Sequence, residues 1–282
     1  MGSILTAIKA IIEESSNTFI SSSNKGVQNR ANQMGDALEE YVKNAFADCL
    51  GADQRTKVVA LNRTFSYLGN SNNPPDAMLK GSDAIEIKKI KSLGTDQLQL
   101  NSSYPKDKLY SNNPKIKAEC RSCEDWKVKD MLYVVGQVTG NEIKNLIFVY
   151  GDAYCDSSVV YENPEKKIRD AINSIENVNI ADTKELGRIN NVDHLGISDL
   201  RIRGMWLIKT PFLHFKYLFE DIIKYNFRLI AIIPEEKYKS FQEIESFESF
   251  CRINGVRIND ENIQDPKNPA KLIKTKVIIY YR

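Results

Sequence analysis

The chain begins with two stretches whose apolar residues recur at the spacing of an amphipathic helix. In the first stretch these residues are Ile4, Leu5, Ile8, Ile11 and Ile12. In the second stretch, residues 29–50, they are Leu38, Tyr41, Val42, Ala45, Phe46 and Cys49. A period near 3.6 residues places each set on one helical face. We therefore predict two N-terminal helices, the second ending at Gly51, because glycine favours helix termination.

The rest of the chain alternates between short apolar runs and longer periodic segments. The pattern predicts strands at residues 58–68, 76–80, 84–90, 98–100, 131–138, 146–150, 192–207, 228–233 and 277–280. It predicts helices at residues 165–175, 212–225 and 235–251, and a loop at residues 102–125. Strands interleaved with helices indicate one α/β domain, residues 1–282, with a mixed central β-sheet flanked by helices.

Three polar side chains on two neighbouring predicted strands form a candidate site. Asp76 follows Pro75 and opens one strand, whereas Glu86 and Lys88 lie on the next. The linker at residues 81–82 is Gly-Ser, which suits a tight hairpin. Neighbouring antiparallel strands lie about 4.8 Å apart, and side chains two residues apart emerge on the same face of a strand. We therefore expect two carboxylates and one ammonium to converge.

This set of groups suits hydrolysis of a phosphodiester bond. Mg²⁺ takes oxygen ligands and needs only one or two carboxylates, so Asp76, Glu86 and the backbone carbonyl of Ile87 are candidate ligands. A bound metal would stabilise developing negative charge and lower the pKa of a water molecule. The Lys88 ammonium would orient or deprotonate that water. The motif is short and also arises by chance, and the alternative interpretation of residues 86–91 is the exposed face of an amphipathic strand.

The second helix offers a further carboxylate. Glu39 and Glu40 flank its apolar stripe, and one of them is placed to reach over the sheet toward the metal. We favour Glu39 as the fourth catalytic residue. The alternative for either residue is a solvated helix face.

Composition narrows the function only slightly. Hydrophobic residues make up 42% of the chain and charged residues 27%, which is ordinary for a globular protein. The net charge of +2 neither indicates nor excludes a surface that binds nucleic acid. No apolar run approaches the roughly 20 residues needed to span a bilayer. We therefore predict a cytoplasmic protein that has no membrane partner.

The order of a helix glutamate, a Pro-Asp pair and a Glu-x-Lys triplet resembles the PD-(D/E)xK nuclease superfamily. Five stretches resemble, more narrowly, the NgoPII-type type II restriction endonucleases. They are residues 30–39 (RANQMGDALE), 73–76 (NPPD), 100–106 (LNSSYPK), 120–126 (CRSCEDW) and 148–152 (FVYGD). Asp76, Glu86 and Lys88 match the family pattern directly, and Glu39 matches it less securely because Glu40 is adjacent.

This resemblance implies a fold and an activity. The fold would be a restriction-endonuclease-like core at about residues 29–155, the part that the similarity covers. Residues 156–282 would add strands and helices for DNA recognition and dimer contacts. The activity would be that of a type II site-specific deoxyribonuclease, a homodimer that cuts double-stranded DNA at a short palindrome, GGCC in that family. A companion DNA methyltransferase would protect the host DNA.

Candidate DNA-contacting residues lie in two regions. Arginine and lysine commonly read guanine in the major groove, and short polar side chains contact bases or phosphates. The candidates after the catalytic strand are Asn101, Ser102, Ser103, Tyr104, Lys106 and Lys108. Those in the second half are Arg188, Arg201 and Arg203. A two-fold dimer would let each subunit read half of a palindrome.

Three other functions remain open at this point. A repair or junction-resolving nuclease would share the metal site without a fixed recognition sequence. A non-catalytic DNA-binding protein would keep the fold around an idle site. A generic α/β protein would carry the motif by chance.

Overall fold

The structure is a computed structural model that describes residues 2–14, 30–69, 74–101, 103–183, 185–219 and 225–282. Its helices, labelled α1 to α8 in chain order, are Ile4–Glu13, Arg30–Phe46, Gln54–Thr64, Ala118–Ser122, Ser158–Asn173, Pro211–His214, Glu235–Lys239 and Ile244–Ile253. Two single turns of 3-10 helix lie at Gly151–Ala153 and Lys216–Leu218. Within these ranges, the structure contains no helix that is both long and apolar enough to cross a membrane.

The strands form a central mixed sheet and two smaller ones. In chain order, β1 to β14 are Phe65–Leu68, Ala77–Leu79, Ala84–Ile90, Gln97–Asn101, Lys108–Tyr110, Val128–Thr139, Glu142–Tyr150, Asn179–Ile180, Gly187–Asn190, Leu200–Ile202, Met205–Lys209, Arg228–Pro234, Arg257–Asp265 and Asn268–Tyr281. The central sheet has the order β1-β2-β3-β6-β7-β12-β14-β13, with β5 paired to β6. The pairs β3–β6 and β12–β7 are parallel and the others antiparallel. The predicted α/β fold with a mixed sheet is confirmed.

Helices cover one face of this sheet. The apolar side of α1 and α2, with Leu5 and Leu38 fully buried, packs on Ile85 and Phe148, and Phe247 of α8 joins the same cluster. Both predicted N-terminal helices are thus present, and the first is capped by the Ser3 hydroxyl, which accepts from the backbone N of Thr6 at 3.2 Å.

The opposite face carries a second apolar cluster. Ala84 and Ile90 of β3 lie in it beside Met131 of β6. Because side chains alternate along a strand, Glu86 and Lys88, which lie between Ala84 and Ile90, share this second face. Leu98 of β4 is part of the same cluster, so the β4 strand lies on the same side of the sheet as the candidate catalytic side chains.

The two ends of the chain meet in the fold. The Ser3 hydroxyl donates to the Glu243 carboxylate at 2.9 Å, and the Arg282 guanidinium donates to the backbone carbonyl of Glu14 at 2.5 Å. The backbone of Arg282 also pairs with Phe227 just before β12. The first helix is therefore held by elements from the last quarter of the sequence.

Most predicted strands are confirmed, but the strand at 58–68 is wrong over most of its length. Helix α3 occupies Gln54–Thr64 and the strand begins only at Phe65. The Asp53 carboxylate caps α3 by accepting from the backbone N of Arg55 and Thr56 at 2.9 and 3.1 Å. Val58 and Val59 are 48% and 65% exposed, so their apolar character does not mark a buried face.

The helix predicted at residues 212–225 is also wrong in its described part. The chain there forms the short α6 and the 3-10 turn at Lys216–Leu218, and residues 220–224 lie outside the described ranges. Phe212, Phe215 and Phe219 are buried in the second cluster, so burial rather than one continuous helix explains their spacing.

Three further predictions need adjustment. The helix at 235–251 is divided into α7 and α8. The loop at 102–125 contains β5 and α4. The β-like region at 192–207 contains a turn before β10 and β11.

Candidate active site

The backbone of Asp76 fixes this residue at the start of the hairpin that β2 and β3 form. Its N donates to the carbonyl of Ile85 at 3.0 Å, and its carbonyl accepts from the N of Gly69 at 2.9 Å. A Cβ atom at Gly69 would lie 2.3 Å from the Pro75 carbonyl oxygen, so only glycine permits this close approach of β1 to the Pro-Asp segment. The position of Asp76 is therefore fixed by strand pairing.

The Asp76 side chain turns back onto the neighbouring strand. Its Oδ2 accepts a hydrogen bond from the backbone N of Ile87 at 2.6 Å. Ile87 lies between Glu86 and Lys88, so the hairpin brings the Asp76 carboxylate to the middle of the Glu-x-Lys triplet. The predicted convergence of these residues is present in the geometry.

Glu86 and Lys88 form an ion pair beside this carboxylate. The Lys88 ammonium lies 2.6 Å from Oε1 of Glu86. The other oxygen of Glu86, Oε2, is buried and has no hydrogen-bond partner among the described residues. An orphaned carboxylate oxygen is costly in a protein interior unless a cation or donor meets it.

Electrostatics in this cluster are strongly perturbed. Burial, followed by the charge of Glu86, raises the pKa of Asp76 to about 8. Burial lowers the pKa of Lys88, but the Glu86 and Asp76 carboxylates outweigh it and hold that pKa above its usual value. Lys88 therefore stays protonated, and its single positive charge does not balance the Asp76 and Glu86 carboxylates when both are ionised.

Glu39 reaches the same electrostatic environment from α2. Its charge raises the pKa of both Asp76 and Lys88. Its carboxylate also accepts from the Lys43 ammonium, one helical turn later, at 3.2 Å. Glu40 is exposed. Lys43 was not predicted from the sequence, although its i,i+4 spacing from Glu39 is the usual sign of such a pair.

Two other residues missed by the sequence reasoning clamp the catalytic hairpin. The buried Lys129 ammonium donates to the carbonyls of Leu79 and Ser82 at 2.9 and 2.8 Å and pairs with Glu124. The Glu124 carboxylate in turn accepts from the backbone N of Gly81 at 3.0 Å. Glu124 lies in the stretch 120–126 that resembles the family, and this resemblance could have identified it from the sequence. Lys129 lies between Val128 and Asp130 and belongs to no recognisable motif.

The predicted DNA-contacting loop after β4 is largely buried. Ser103, Tyr104 and Lys106 are 6%, 6% and 3% exposed. The Lys106 ammonium contacts the Ser103 hydroxyl and the Tyr104 carbonyl, the latter at 3.0 Å. Burial lowers the pKa of Lys106 to about 8, and the nearby charge of Glu86 acts in the opposite direction. Ser102 lies outside the described residues, and Asn101 pairs through its backbone with Met205.

The remaining predicted DNA-contacting residues engage carboxylates. Lys108 bonds to Asp130 at 2.6 Å and to Asp152 at 2.8 Å, which raises the Lys108 pKa despite partial burial. On the small sheet β8–β9–β10, Arg188 pairs with Asp199, whereas Arg201 and Arg203 share Glu185. These arginines lie apart from the catalytic cluster in sequence and carry exposed side chains. Their contact with DNA stays a prediction.

The site as a whole offers oxygen ligands and one ammonium. No described group of three or more histidine, cysteine or acidic side chains is close enough to hold a metal ion by itself. Asp76 and Glu86 nevertheless supply two carboxylates, and the buried Oε2 of Glu86 has no hydrogen-bond partner among the described residues. Two carboxylates, a backbone carbonyl and water satisfy Mg²⁺, which retains several waters in proteins.

Two sequence comparisons with known proteins give matches over nearly the whole chain. The sequence model of a family described as NgoPII restriction endonuclease matches residues 2–264. The chain is 40% identical over 279 residues to the type II restriction enzyme NgoPII of Neisseria gonorrhoeae, covering 98% of this chain and 100% of that protein. No solved structure matches the chain. The similarity therefore extends well beyond the first 155 residues, where the sequence patterns alone had placed its end.

Proposed function

This chain belongs to the NgoPII restriction endonuclease family, and we propose that it cuts double-stranded DNA at the palindrome GGCC by Mg²⁺-assisted attack of water. It is a type II restriction endonuclease, a site-specific deoxyribonuclease that acts on double-stranded DNA. Enzymes of this type generally use a divalent metal.

The observation that carries the active-site assignment is the hydrogen bond from the Ile87 backbone to Asp76 Oδ2 at 2.6 Å. It supports Asp76, Glu86 and the Ile87 carbonyl as the ligands of Mg²⁺. When bound, the metal lowers the pKa of a water and stabilises charge on the scissile phosphate. Its positive charge would also lower the pKa of Asp76, which burial raises most and the charge of Glu86 raises further.

Lys88 and Glu39 complete the proposed catalytic set. The Lys88 ammonium, held by Glu86 at 2.6 Å, donates to the attacking water or to a phosphate oxygen and so fixes the direction of attack. Because its pKa is raised, Lys88 acts as a charged donor rather than as a base. Glu39, restrained by Lys43, would accept a proton or a hydrogen bond from a water on the helix side of the site.

The proposed partners follow from the family and the palindrome. A homodimer would place two such sites on the two strands. Among the loop candidates, Ser103, Tyr104 and Lys106 are buried, so the proposed DNA contacts are Asn101, Ser102, Lys108 and the arginines at 188, 201 and 203. A companion DNA methyltransferase would protect the host, and a cytoplasmic location would give the enzyme access to incoming DNA.

Digestion of a sequenced plasmid with Mg²⁺ tests this proposal. Discrete fragments whose ends map to GGCC support it, and prior methylation of that site should block cutting. Fragments that map to another sequence would remove GGCC. A smear, or cutting only at branched DNA, would point to a repair or junction-resolving nuclease.

Asp76→Ala and Lys88→Ala test the site itself. Both should abolish cutting while DNA binding in Ca²⁺ persists. Cutting that survives both substitutions would overturn the site assignment.

A further inference from the structure

Strands β4 and β11 form a two-stranded antiparallel ribbon beside the catalytic strand. Met205 pairs with Asn101, Leu207 with Gln99 and Lys209 with Gln97. The ribbon is closed at the end that carries the Gln97–Lys209 pair. There the backbone N and the hydroxyl of Thr210 donate to the carbonyls of Asp96 and Thr95 at 2.9 and 3.1 Å. It is thus a separate, well-defined element and not an edge of the central sheet.

The inner face of the ribbon is anchored. Leu98 and Leu100 are 3% and 4% exposed, and Ile208 packs against the second apolar cluster. The Trp206 indole donates to Glu165 of α5 at 2.8 Å and meets the ring of Tyr161 edge-on. This anchoring fixes the ribbon on the face of the sheet that also carries Glu86 and Lys88.

The outer face of the ribbon is open and has an unusual composition for a solvent-exposed surface. Its side chains alternate with the buried ones, and the exposed set is Gln97, Gln99, Met205, Leu207 and Lys209. Met205 and Leu207 are 56% and 48% exposed. None of these five side chains is acidic, so the face presents carboxamides, apolar groups and one ammonium.

That composition matches the chemistry of base edges in the DNA major groove. The groove admits a two-stranded β-ribbon, and a carboxamide carries both donors and an acceptor, which can meet the O6 and N7 acceptors of guanine and the N4 donor of cytosine in a G·C pair. The absence of carboxylates on the face suits a polyanion. Neither Gln97 nor Gln99 was singled out by sequence motifs, because isolated glutamines on a short strand resemble ordinary surface residues.

We infer that the β4–β11 ribbon enters the major groove of the target and that Gln97 and Gln99 are specificity-determining residues that contact base edges. The inference rests on the proposed function, because it assigns the base-reading element of that same DNA site. The ribbon is linked to the catalytic strand by only six residues, 91–96, and leads at its other end into the buried loop at 103–106. The proposed base contacts on the ribbon therefore lie close in the chain both to the strand that carries Glu86 and Lys88 and to the buried loop that carries Lys106.

Cross-linking tests the contact without relying on cleavage. The Gln99→Cys variant is mixed with a duplex that carries a disulfide tether on cytosine N4 in the major groove of the recognised site. Disulfide exchange should then give a protein–DNA adduct at least ten times more abundant than that of Gln264→Cys, a matched exposed glutamine on β13. A tether placed in the minor groove should give background only.

Cleavage specificity provides the second measurement. Gln97→Ala and Gln99→Ala should each lower the ratio of cutting at the target over cutting at a site with one changed base by roughly 10- to 100-fold. Gln264→Ala should leave the ratio within about twofold.

Three outcomes separate the possibilities. An unchanged ratio together with a background-level adduct, in an enzyme that cuts at discrete sites, would overturn the ribbon assignment. A halved molecular mass for Leu207→Lys in sedimentation, with specificity intact, would overturn it in favour of a surface between two copies of this chain. Absence of discrete cutting by the unmodified enzyme would defeat the proposed function, whereas the adduct would still decide whether the ribbon meets DNA.

Discussion

The Asp76 carboxylate should lower the free energy of unfolding of the metal-free enzyme, so Asp76→Asn should stabilise the fold. The same substitution should abolish cleavage, because it removes a proposed metal ligand. Burial and the Glu86 charge raise the pKa of Asp76 from 3.8 to about 8. The folded protein then keeps a proton that the unfolded chain releases. The stability from this group is fully present below about pH 4 and is lost as the pH rises toward 8.

The magnitude follows from the two pKa values. At 1.36 kcal/mol per pH unit, the loss is about 4 kcal/mol at pH 7 and about 2 kcal/mol at pH 5. A neutral carboxamide removes this cost but is itself buried, at about 1–3 kcal/mol. Its oxygen still accepts from the backbone N of Ile87. We expect a net gain in the free energy of unfolding of about 1–3 kcal/mol at pH 7 and little gain at pH 5.

Urea unfolding in EDTA at both pH values measures this gain. Asp83→Asn is the matched control, because the Asp83 carboxylate is equally buried but accepts from Tyr150 and from Lys237 at 2.7 and 2.5 Å. Removing its charge leaves Lys237 with weaker partners and should lower stability. The reasoning is refuted if Asp76→Asn unfolds at lower urea than the unmodified enzyme at pH 7, or if its gain is the same at pH 5.

Three further substitutions probe the groups around this carboxylate. Lys88→Met should slow single-turnover cleavage by about 10²–10³-fold, since a positioned charge at the transition state is lost, while DNA binding in Ca²⁺ changes little; a rate within tenfold of the original would exclude a catalytic role. Glu39→Gln should slow cleavage by about 10- to 100-fold and the exposed neighbour Glu40→Gln should not, and the reverse order would assign the role to Glu40. Lys129→Met should lower the free energy of unfolding by about 3–5 kcal/mol, because Glu124 and two hairpin carbonyls lose the ammonium that they contact. Urea midpoints check this, and a loss below about 1 kcal/mol would show that the Lys129 contacts are dispensable.

The hairpin that carries the candidate site could be predicted from sequence because local rules determine it. The Gly-Ser linker and the alternation around Glu86 and Lys88 act over a few residues. They agree with the strands Ala77–Leu79 and Ala84–Ile90. The first two helices could also be predicted, because their apolar stripes are long enough to show the helical period of about 3.6 residues.

Features that depend on distant contacts could not be predicted in this way. Lys129 reaches carbonyls about fifty residues earlier in the chain, and no spacing rule connects it to the hairpin. Most of the α3 helix was wrongly predicted as a strand. Its valines are exposed, so their spacing does not mark a buried helical face. The β4–β11 pairing joins segments more than a hundred residues apart, which is why Gln97 and Gln99 did not stand out.

The contacts between the first helix and the last quarter of the sequence couple the unfolding of distant segments. Ser3 at the start of α1 bonds to Glu243, and the carbonyl of Glu14 bonds to Arg282, so each contact joins residues more than two hundred positions apart. Helix α1 in turn packs in the same apolar cluster as Ile85 of the hairpin strand. A substitution that loosens either contact should therefore reduce the amide-exchange protection of α1 and of β3 together.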